Sequence, residues 1–136
     1  MSRGLDNCNP GNIRISGVRY KGEVRPGRDR EFRCFESLAW GYRAIFVLLH
    51  TYARRYGCRT LRQMIARYAP PSENPTGNYL KFVAREAGVD ADTPLDTLDS
   101  RTMTAVVSAI SRFENGTPAD AISVAEGWHL FRLDFS

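Results

Sequence analysis

The stretch SLAWGYRAIFVLLHTYARRYG, residues 37–57, decides the fold of this 136-residue chain. Ser37 is a favourable N-cap, and Gly57 can supply the left-handed residue that commonly ends a helix. Residues 44–49 are apolar on every face, which is typical of a helix buried at the centre of a domain. The apolar run is flanked by arginines and is too short to span a bilayer, so it predicts a central helix and not a membrane segment.

Further helices follow from start and stop signals on the C-terminal side. They are expected from Thr60 to Tyr68, from Thr76 to Ala87, from Asp99 or Ser100 to Phe113, and from Thr117-Pro118 to about Ala125. The apolar tail, Trp128 to Phe135, is expected to close over the core.

The first 36 residues are rich in glycine, arginine and turn signals. Residues 13–16, 18–21 and 31–35 read as short strands, and their short connections favour antiparallel pairing. Residues 1–136 are therefore expected to form a single domain of the α+β class, mainly α. A small N-terminal antiparallel sheet (1–36) would precede a helical part (37–136).

Charge is distributed unevenly along the chain. Residues 1–67 carry 14 basic and 5 acidic residues, a net charge of +9, whereas residues 68–136 carry 5 basic and 10 acidic ones, a net charge of −5. This asymmetry indicates a polyanionic partner for the basic half. The alternative is that the opposed charges pair within the fold or lie on a solvated face.

Metal, cofactor and nucleophile chemistry find little support in the sequence. The cysteines Cys8, Cys34 and Cys58 have no short spacing, and His50 and His129 are the only histidines. No zinc pattern, phosphate loop or serine-nucleophile motif occurs. We therefore expect no metal and no cofactor, and free or buried thiols made in a reducing cytoplasm. No apolar leader follows Met1, so a target outside the cytoplasm would require another delivery route.

Carboxylates remain as candidate catalytic groups, and Glu114 is the first of them. It lies where a helix ends, between Phe113 and Asn115-Gly116. The negative end of the helix dipole and burial would both favour its protonated form, as a general acid requires. The alternative is a solvated glutamate beside a glycine C-cap.

Two further acids are candidates for a second catalytic carboxylate. Glu73 lies in a proline-stiffened loop with Asn74, just before a helix, and can instead serve only to favour that helix's start. Glu36 lies between the sheet and the central helix, with the same alternative. Tyr79, in the first turn after the loop, is expected to point near Glu73, and Tyr20 is one of several aromatic residues that can bind sugars.

Apart from Tyr20, these residues lie in segments that resemble a phage and prophage family. Its members are often labelled virion structural proteins and resemble lytic, peptidoglycan-degrading virion proteins. The matching segments are residues 3–14, 32–37, 41–44, 68–76 with Tyr79, and 113–116. The family opening usually reads Asn-Asn-Asn-Pro, whereas here Cys8 replaces the middle asparagine. The resemblance implies that Asn9, Asn12, Tyr20, Asn74 and Tyr79 contact substrate.

A more distant likeness is to lysozyme-like glucosaminidases of the autolysin type. Their order of strand, turn, strand, helix and tyrosine-bearing helix is similar to the order from Asn9 to Tyr79. In those enzymes the catalytic glutamate ends a helix before the first strand, whereas only a dozen residues precede Ile13 here. Residues 112–116 look like that helix end at the opposite end of the chain. A circularly permuted lysozyme-like fold would bring Glu114 beside the N-terminal sheet.

The resemblance thus implies a monomeric glycosidase or lytic transglycosylase acting on peptidoglycan glycan strands. It would act on the cell wall, either carried in the virion with other virion proteins or released through lysis, with no membrane partner. The alternatives are a non-catalytic virion or wall-binding module and, third, a basic nucleic-acid-binding domain, although no nucleic-acid motif occurs.

Overall fold

The computed structural model describes residues 2–71 and 75–136. In chain order its elements are α1 (Arg3–Asp6), β1 (Glu23–Val24), β2 (Cys34–Phe35), α2 (Leu38–Tyr56), α3 (Leu61–Tyr68), α4 (Thr76–Ala87), α5 (Ser100–Asn115) and α6 (Ala121–Asp134). The expected class, α+β and mainly α with a small antiparallel sheet, is confirmed.

Helix α2 is the centre of the molecule, as its apolar middle predicts. Ser37 accepts a hydrogen bond from Trp40 N at one end, and Gly57 closes the other with a φ of 66°. Ala44, Ile45 and Leu49 are fully buried. Helix α6 packs along α2, and the contact is close at Gly127, where a Cβ atom would lie 2.7 Å from Tyr42 Cβ. Glycine inside a helix lowers the stability of the helix, but Gly127 has no Cβ atom and so allows the close approach of α2 and α6.

The predicted ends of α3, α4 and α5 are confirmed within two residues. Thr60 and Gln63 form a reciprocal capping box at the start of α3. Gly88 and Gly116 end α4 and α5 with left-handed backbones. These signals are local, since each requires only residues within one helical turn.

The prediction for the C-terminal segment was wrong. Thr117-Pro118 does not open a helix; instead Asp120 caps α6 by accepting a hydrogen bond from Ser123 N. The helix continues to Asp134, so the apolar tail is helical and packs on the core through the fully buried Phe131. Packing against α2 extends the helix beyond the point where local signals end it.

The predicted strands 13–16 and 18–21 do not form. The sheet pairs Glu23 with Phe35 and Val24 with Cys34, and Arg14 and Phe32 make only an isolated bridge. At this bridge Arg33 N donates to Ile13 O and Ile15 N donates to Glu31 O, and side chains also bind the backbone of the segment. Asn9 Nδ2 donates to Ile13 O at 3.0 Å, and Arg25 donates to Ser16 O and Val18 O.

Helix α1 was not predicted. Ser2 caps it by accepting from Leu5 N, and the same hydroxyl donates to Asn115 Oδ1 at 2.6 Å. The N-terminal segment is thereby tied to the end of α5, 113 positions away in the chain. Among the helices that the structure describes, none combines the length and hydropathy needed to cross a membrane.

Candidate active site

Glu114 lies in the last turn of α5 and faces an open cavity of about 400 Å³. Its carboxylate is part-buried and accepts two hydrogen bonds. Asn12 Nδ2 donates to Oε1 at 2.8 Å, and the Tyr79 hydroxyl donates to Oε2 at 2.7 Å. Three segments far apart in sequence therefore meet at one carboxyl group.

Tyr79 is a neutral donor held in a fixed position. Burial raises the pKa of Tyr79 far above its ordinary value, with further contributions from Tyr68 and Glu114. Its ring packs on Phe113 with 4.1 Å between the ring centroids. Tyr68 meets the same ring edge-on and donates its own hydroxyl proton to Gly11 O at 2.5 Å. The hydroxyl of Tyr79 is therefore held as a donor to Glu114.

Asn12 reaches Glu114 because its backbone is left-handed, with a φ of 49°. Asparagine tolerates this conformation better than most residues that carry a Cβ. The loop before it is fixed by Asn9 Oδ1, which accepts from Ile13 N at 3.0 Å, and by Asn115 Nδ2, which donates to Pro10 O at 2.8 Å. Asn115 thus orders the loop from the residue next to Glu114.

Oxygen atoms converge on the other side of the Asn12 amide. A Cβ atom on Gly4 would lie 2.6 Å from Asn115 Oδ1, 2.8 Å from Asn12 Oδ1 and 2.9 Å from Asn9 O. Asn12 Oδ1 is buried and has no hydrogen-bond partner in the described part of the chain. A buried acceptor without a donor is energetically unfavourable, and this favours reorientation of the Asn12 amide.

The cavity presents both rings and polar groups to a ligand. Its walls comprise Gly11, Asn12, Ile13, Arg14, Ser16, Tyr20, Phe32, Arg33, Leu48, Tyr52, Arg67, Tyr68, Ala69, Pro70 and Glu114. Among the residues that the structure describes, Glu114 is the only carboxylate in this lining. Aromatic faces beside hydrogen-bonding groups are a lining that suits a polar ring such as a sugar.

The comparisons with known proteins give a phage relative. Over 119 residues the chain is 39% identical to protein P5 of Pseudoalteromonas phage PM2, an alignment that covers 85% of this chain and 72% of that protein. The chain belongs to the family of phage protein P5. No family model matches the chain. The predicted relationship to phage proteins is confirmed, whereas the lysozyme-like fold and the hydrolase activity stay predictions.

Of the predicted site residues, this P5-family chain brings Glu114, Asn12 and Tyr20 to one cavity. Tyr79 is fully buried and is not part of the lining, but its hydroxyl donates to Glu114. Asn9 lies elsewhere: it is fully buried, and its amide bonds the backbone at Ile13 and Arg33. Its observed role is to hold the loop that carries Asn12.

The other two candidate carboxylates do not join Glu114 in the described structure. Glu36 is exposed and absent from the cavity lining, and its backbone N–H donates to Gly22 O. Glu73 and Asn74 lie outside the described residues. Ala69 and Pro70, which lead toward them, do line the cavity.

Sequence reasoning missed several residues of the cavity. Leu48 and Tyr52 lie one turn apart on α2 and present one face of it to the cavity, and Arg67 follows from the end of α3. Their spacing of four was visible in the sequence, but it indicated only a buried helix. Within residues 2–71 and 75–136, no three His, Cys, Asp or Glu side chains are grouped as a metal site would require.

Proposed function

We propose that this phage-family chain cleaves the glycan strands of peptidoglycan, with Glu114 as the general acid. One observation carries the proposal: Glu114 is part-buried at the wall of an open cavity and is held there by two neutral donors on distant segments. A carboxyl group positioned by side chains of fixed geometry beside a sugar-sized cavity is what glycoside cleavage requires.

In the proposed reaction, protonated Glu114 gives its proton to the glycosidic oxygen. The bond from that oxygen to the anomeric carbon breaks, and its electron pair stays on the leaving oxygen. The sugar passes through an oxocarbenium-like transition state. A water molecule or the sugar's own hydroxyl then attacks the anomeric carbon, and the proton it loses returns to Glu114.

Two groups are candidates for the second participant in the cleavage reaction. Glu73 is a candidate by chain connectivity, because Ala69 and Pro70 of the same loop line the cavity. Otherwise the acetamido or hydroxyl group of the sugar serves, and a single acid is enough. Reducing ends among the products indicate water as the attacking group, whereas anhydro-sugar ends indicate intramolecular attack and a lytic transglycosylase.

The Asn12 amide suits both protonation states of the acid. With Glu114 ionised, Nδ2 donates to Oε1, as observed at 2.8 Å. With Glu114 protonated, rotation of the amide by a half turn would let Oδ1 accept the acid proton and would place Nδ2 where Oδ1 now lies without a partner among the described residues. The unpartnered Asn12 Oδ1 supports this exchange.

The decisive experiment measures release of soluble glycan fragments from purified sacculi. Glu114→Gln keeps the shape and an acceptor oxygen but cannot supply the proton, so release should fall by about 10²–10⁴-fold. Glu126→Gln, an exposed glutamate on α6, is the matched control and should release products at the parent rate. Equal release by the parent and Glu114→Gln would contradict the assignment.

A non-catalytic wall-binding domain is the second candidate. Both side chains that contact the Glu114 carboxyl donate hydrogen bonds to it, and a carboxylate held as an acceptor can equally bind a sugar hydroxyl group. Binding of the parent chain to sacculi with no fragment release would favour this candidate. Carriage in the virion and contact with other virion proteins fit either function.

A further inference from the structure

A second cavity, of about 930 Å³, adjoins the Glu114 cavity. The two share the lining residues Ser16, Tyr20, Leu48, Tyr52 and Arg67, so they form one continuous depression. We call the second cavity the basic groove. A chain-like ligand with one sugar at Glu114 can extend its substituents into this groove.

The lining of the basic groove is strongly cationic. Its charged residues are Arg19, Lys21, Arg43, Arg54, Arg55 and Arg67, and no Asp or Glu of the described chain is among the lining residues. Asp134 pairs with Lys21 and Arg43. The other four arginines form no ion pair with a described carboxylate. A depression lined by one sign of charge concentrates the field and attracts anions.

The basic groove also has apolar residues in its lining, and these restrict the class of ligand that fits it. Val47, Leu48 and Phe135 contribute to its lining. The Arg67 guanidinium lies 3.6 Å from the centroid of the Tyr56 ring, so this cation is held against an aromatic side chain. Alternating apolar and cationic contacts fit a short acidic peptide better than a uniformly charged phosphodiester chain, which would need cations along its whole length.

We propose that the basic groove binds the acidic stem peptides that hang from the glycan strand. This rests on the proposed function, because the strand must lie at Glu114 for its peptides to reach the groove. Guanidinium groups bind carboxylates through paired, charge-assisted hydrogen bonds. Arg54 and Arg55 stand at the exposed end of α2 and are the arginines most free to do so.

The test measures binding and does not depend on catalysis. Glu114→Gln is the background, so that the polymer stays intact, and Arg54→Ala/Arg55→Ala removes two groove cations. Arg85→Ala/Arg101→Ala is the control, since it removes the same charge from exposed sites that line neither cavity. Each protein is titrated against intact sacculi, against glycan strands stripped of peptides by an amidase, and against single-stranded DNA.

On intact sacculi the groove variant should bind at least about tenfold more weakly than the control variant, as loss of charge-assisted hydrogen bonds implies. On stripped strands the two variants should bind equally. Equal weakening of both variants on sacculi, a tenfold weaker binding of the groove variant than of the control on stripped strands, or a larger loss on DNA than on sacculi would each overturn the proposal.

The outcomes also separate the two proposals. Peptide-dependent binding through the groove by a parent chain that releases no fragments supports the groove and rejects the hydrolase. Fragment release with equal KM for the groove and control variants, made with Glu114 intact, supports the hydrolase and rejects the groove.

Discussion

At the scale of single residues, the hydrogen bonds from Asn12 and Tyr79 fix the position of the Glu114 carboxyl group. The bond from Asn12 is the one that can be removed without disturbing the core, because Asn12 lies on a surface loop, whereas Tyr79 is fully buried. Asn12 also carries a backbone cost, since its φ of 49° is left-handed. A substitution there changes both the amide and the backbone, and the two effects can be separated.

We therefore predict different outcomes for Asn12→Ala and Asn12→Gly. Alanine loses the amide and strains the left-handed backbone, which should lower the free energy of unfolding by about 1–2 kcal/mol. Glycine loses the same amide without the strain and should recover most of that stability. Both variants lack the amide that positions Glu114, so under the proposed function both should release glycan fragments more slowly than the parent.

Denaturant titrations and fragment-release rates of the three proteins check this prediction. A glycine variant with both the stability and the release rate of the parent would show that the Asn12 amide has no effect on Glu114.

The candidate site shows what sequence can and cannot supply at this scale. Phe113-Glu114-Asn115-Gly116 marks a helix end, and the resemblance to phage proteins raised Glu114 above the other acids. The partners of Glu114 depend on contacts between segments up to 102 positions apart, and no local pattern encodes those. Asn9 was expected to touch substrate, yet its burial and backbone bonds show that such a motif residue can serve the loop alone.

At the scale of elements, glycines set how closely helices approach. Gly127 in α6 faces α2, where a Cβ would lie 2.7 Å from Tyr42 Cβ and 2.8 Å from Ala39 O. Gly77 in α4 has no neighbouring atom within 4 Å of the same position. The two helical glycines therefore form a matched pair for a substitution by alanine.

Gly127→Ala should destabilise the protein by roughly 1–2 kcal/mol, because overpacking against α2 outweighs the gain in helix propensity. Gly77→Ala should stabilise it by about 0.5–1 kcal/mol, because only the unfolded chain loses freedom. Urea unfolding of both variants measures the difference. A stabilised Gly127→Ala protein would mean that α2 and α6 are not in close contact.

The helices were predictable because capping depends on residues within one helical turn. The strands were not predictable from such local signals. Residues 13–15 pair with residues 31–33 through two backbone hydrogen bonds, but farther along Arg25 binds Ser16 O and Val18 O, so the predicted strands do not extend. The prediction ended helix α6 too early. Its C-terminal half is fixed by burial of Phe131 against the core, and no local signal in the sequence indicates this burial.

At the scale of the whole molecule, the charge asymmetry is partly resolved inside the fold. Asp134 from the acidic half joins Lys21 and Arg43 from the basic half, and Arg62 pairs with Asp92. The alternative of internal pairing is thus correct for these residues. Four arginines of the basic groove form no ion pair with a described carboxylate and are available to a partner: Arg19, Arg54, Arg55 and Arg67.

The basic half also contains an ion pair that is fully enclosed. Glu23 and Arg33 contact each other with side chains only 1% and 2% exposed, and Arg25 binds the same carboxylate. Burial alone would raise the pKa of Glu23, but the hydrogen bonds from Arg25, from the Tyr20 backbone and from Arg33 outweigh it and lower the pKa. Hydrogen bonding to Arg3, above all, likewise lowers the pKa of Asp29.

These shifts predict that acid destabilises the protein. A carboxylate whose pKa is lower in the folded state contributes stability above its unfolded value, about 4, and loses it as the pH falls through the folded value. The free energy of unfolding should therefore decline steadily below about pH 4. In Glu23→Gln it should start lower at pH 7, because Arg33 is left buried without its carboxylate, and should decline less steeply. Urea titrations between pH 7 and pH 3, with Glu126→Gln as the exposed control, measure both slopes; parallel declines in the parent and Glu23→Gln would remove Glu23 as a source of the acid sensitivity.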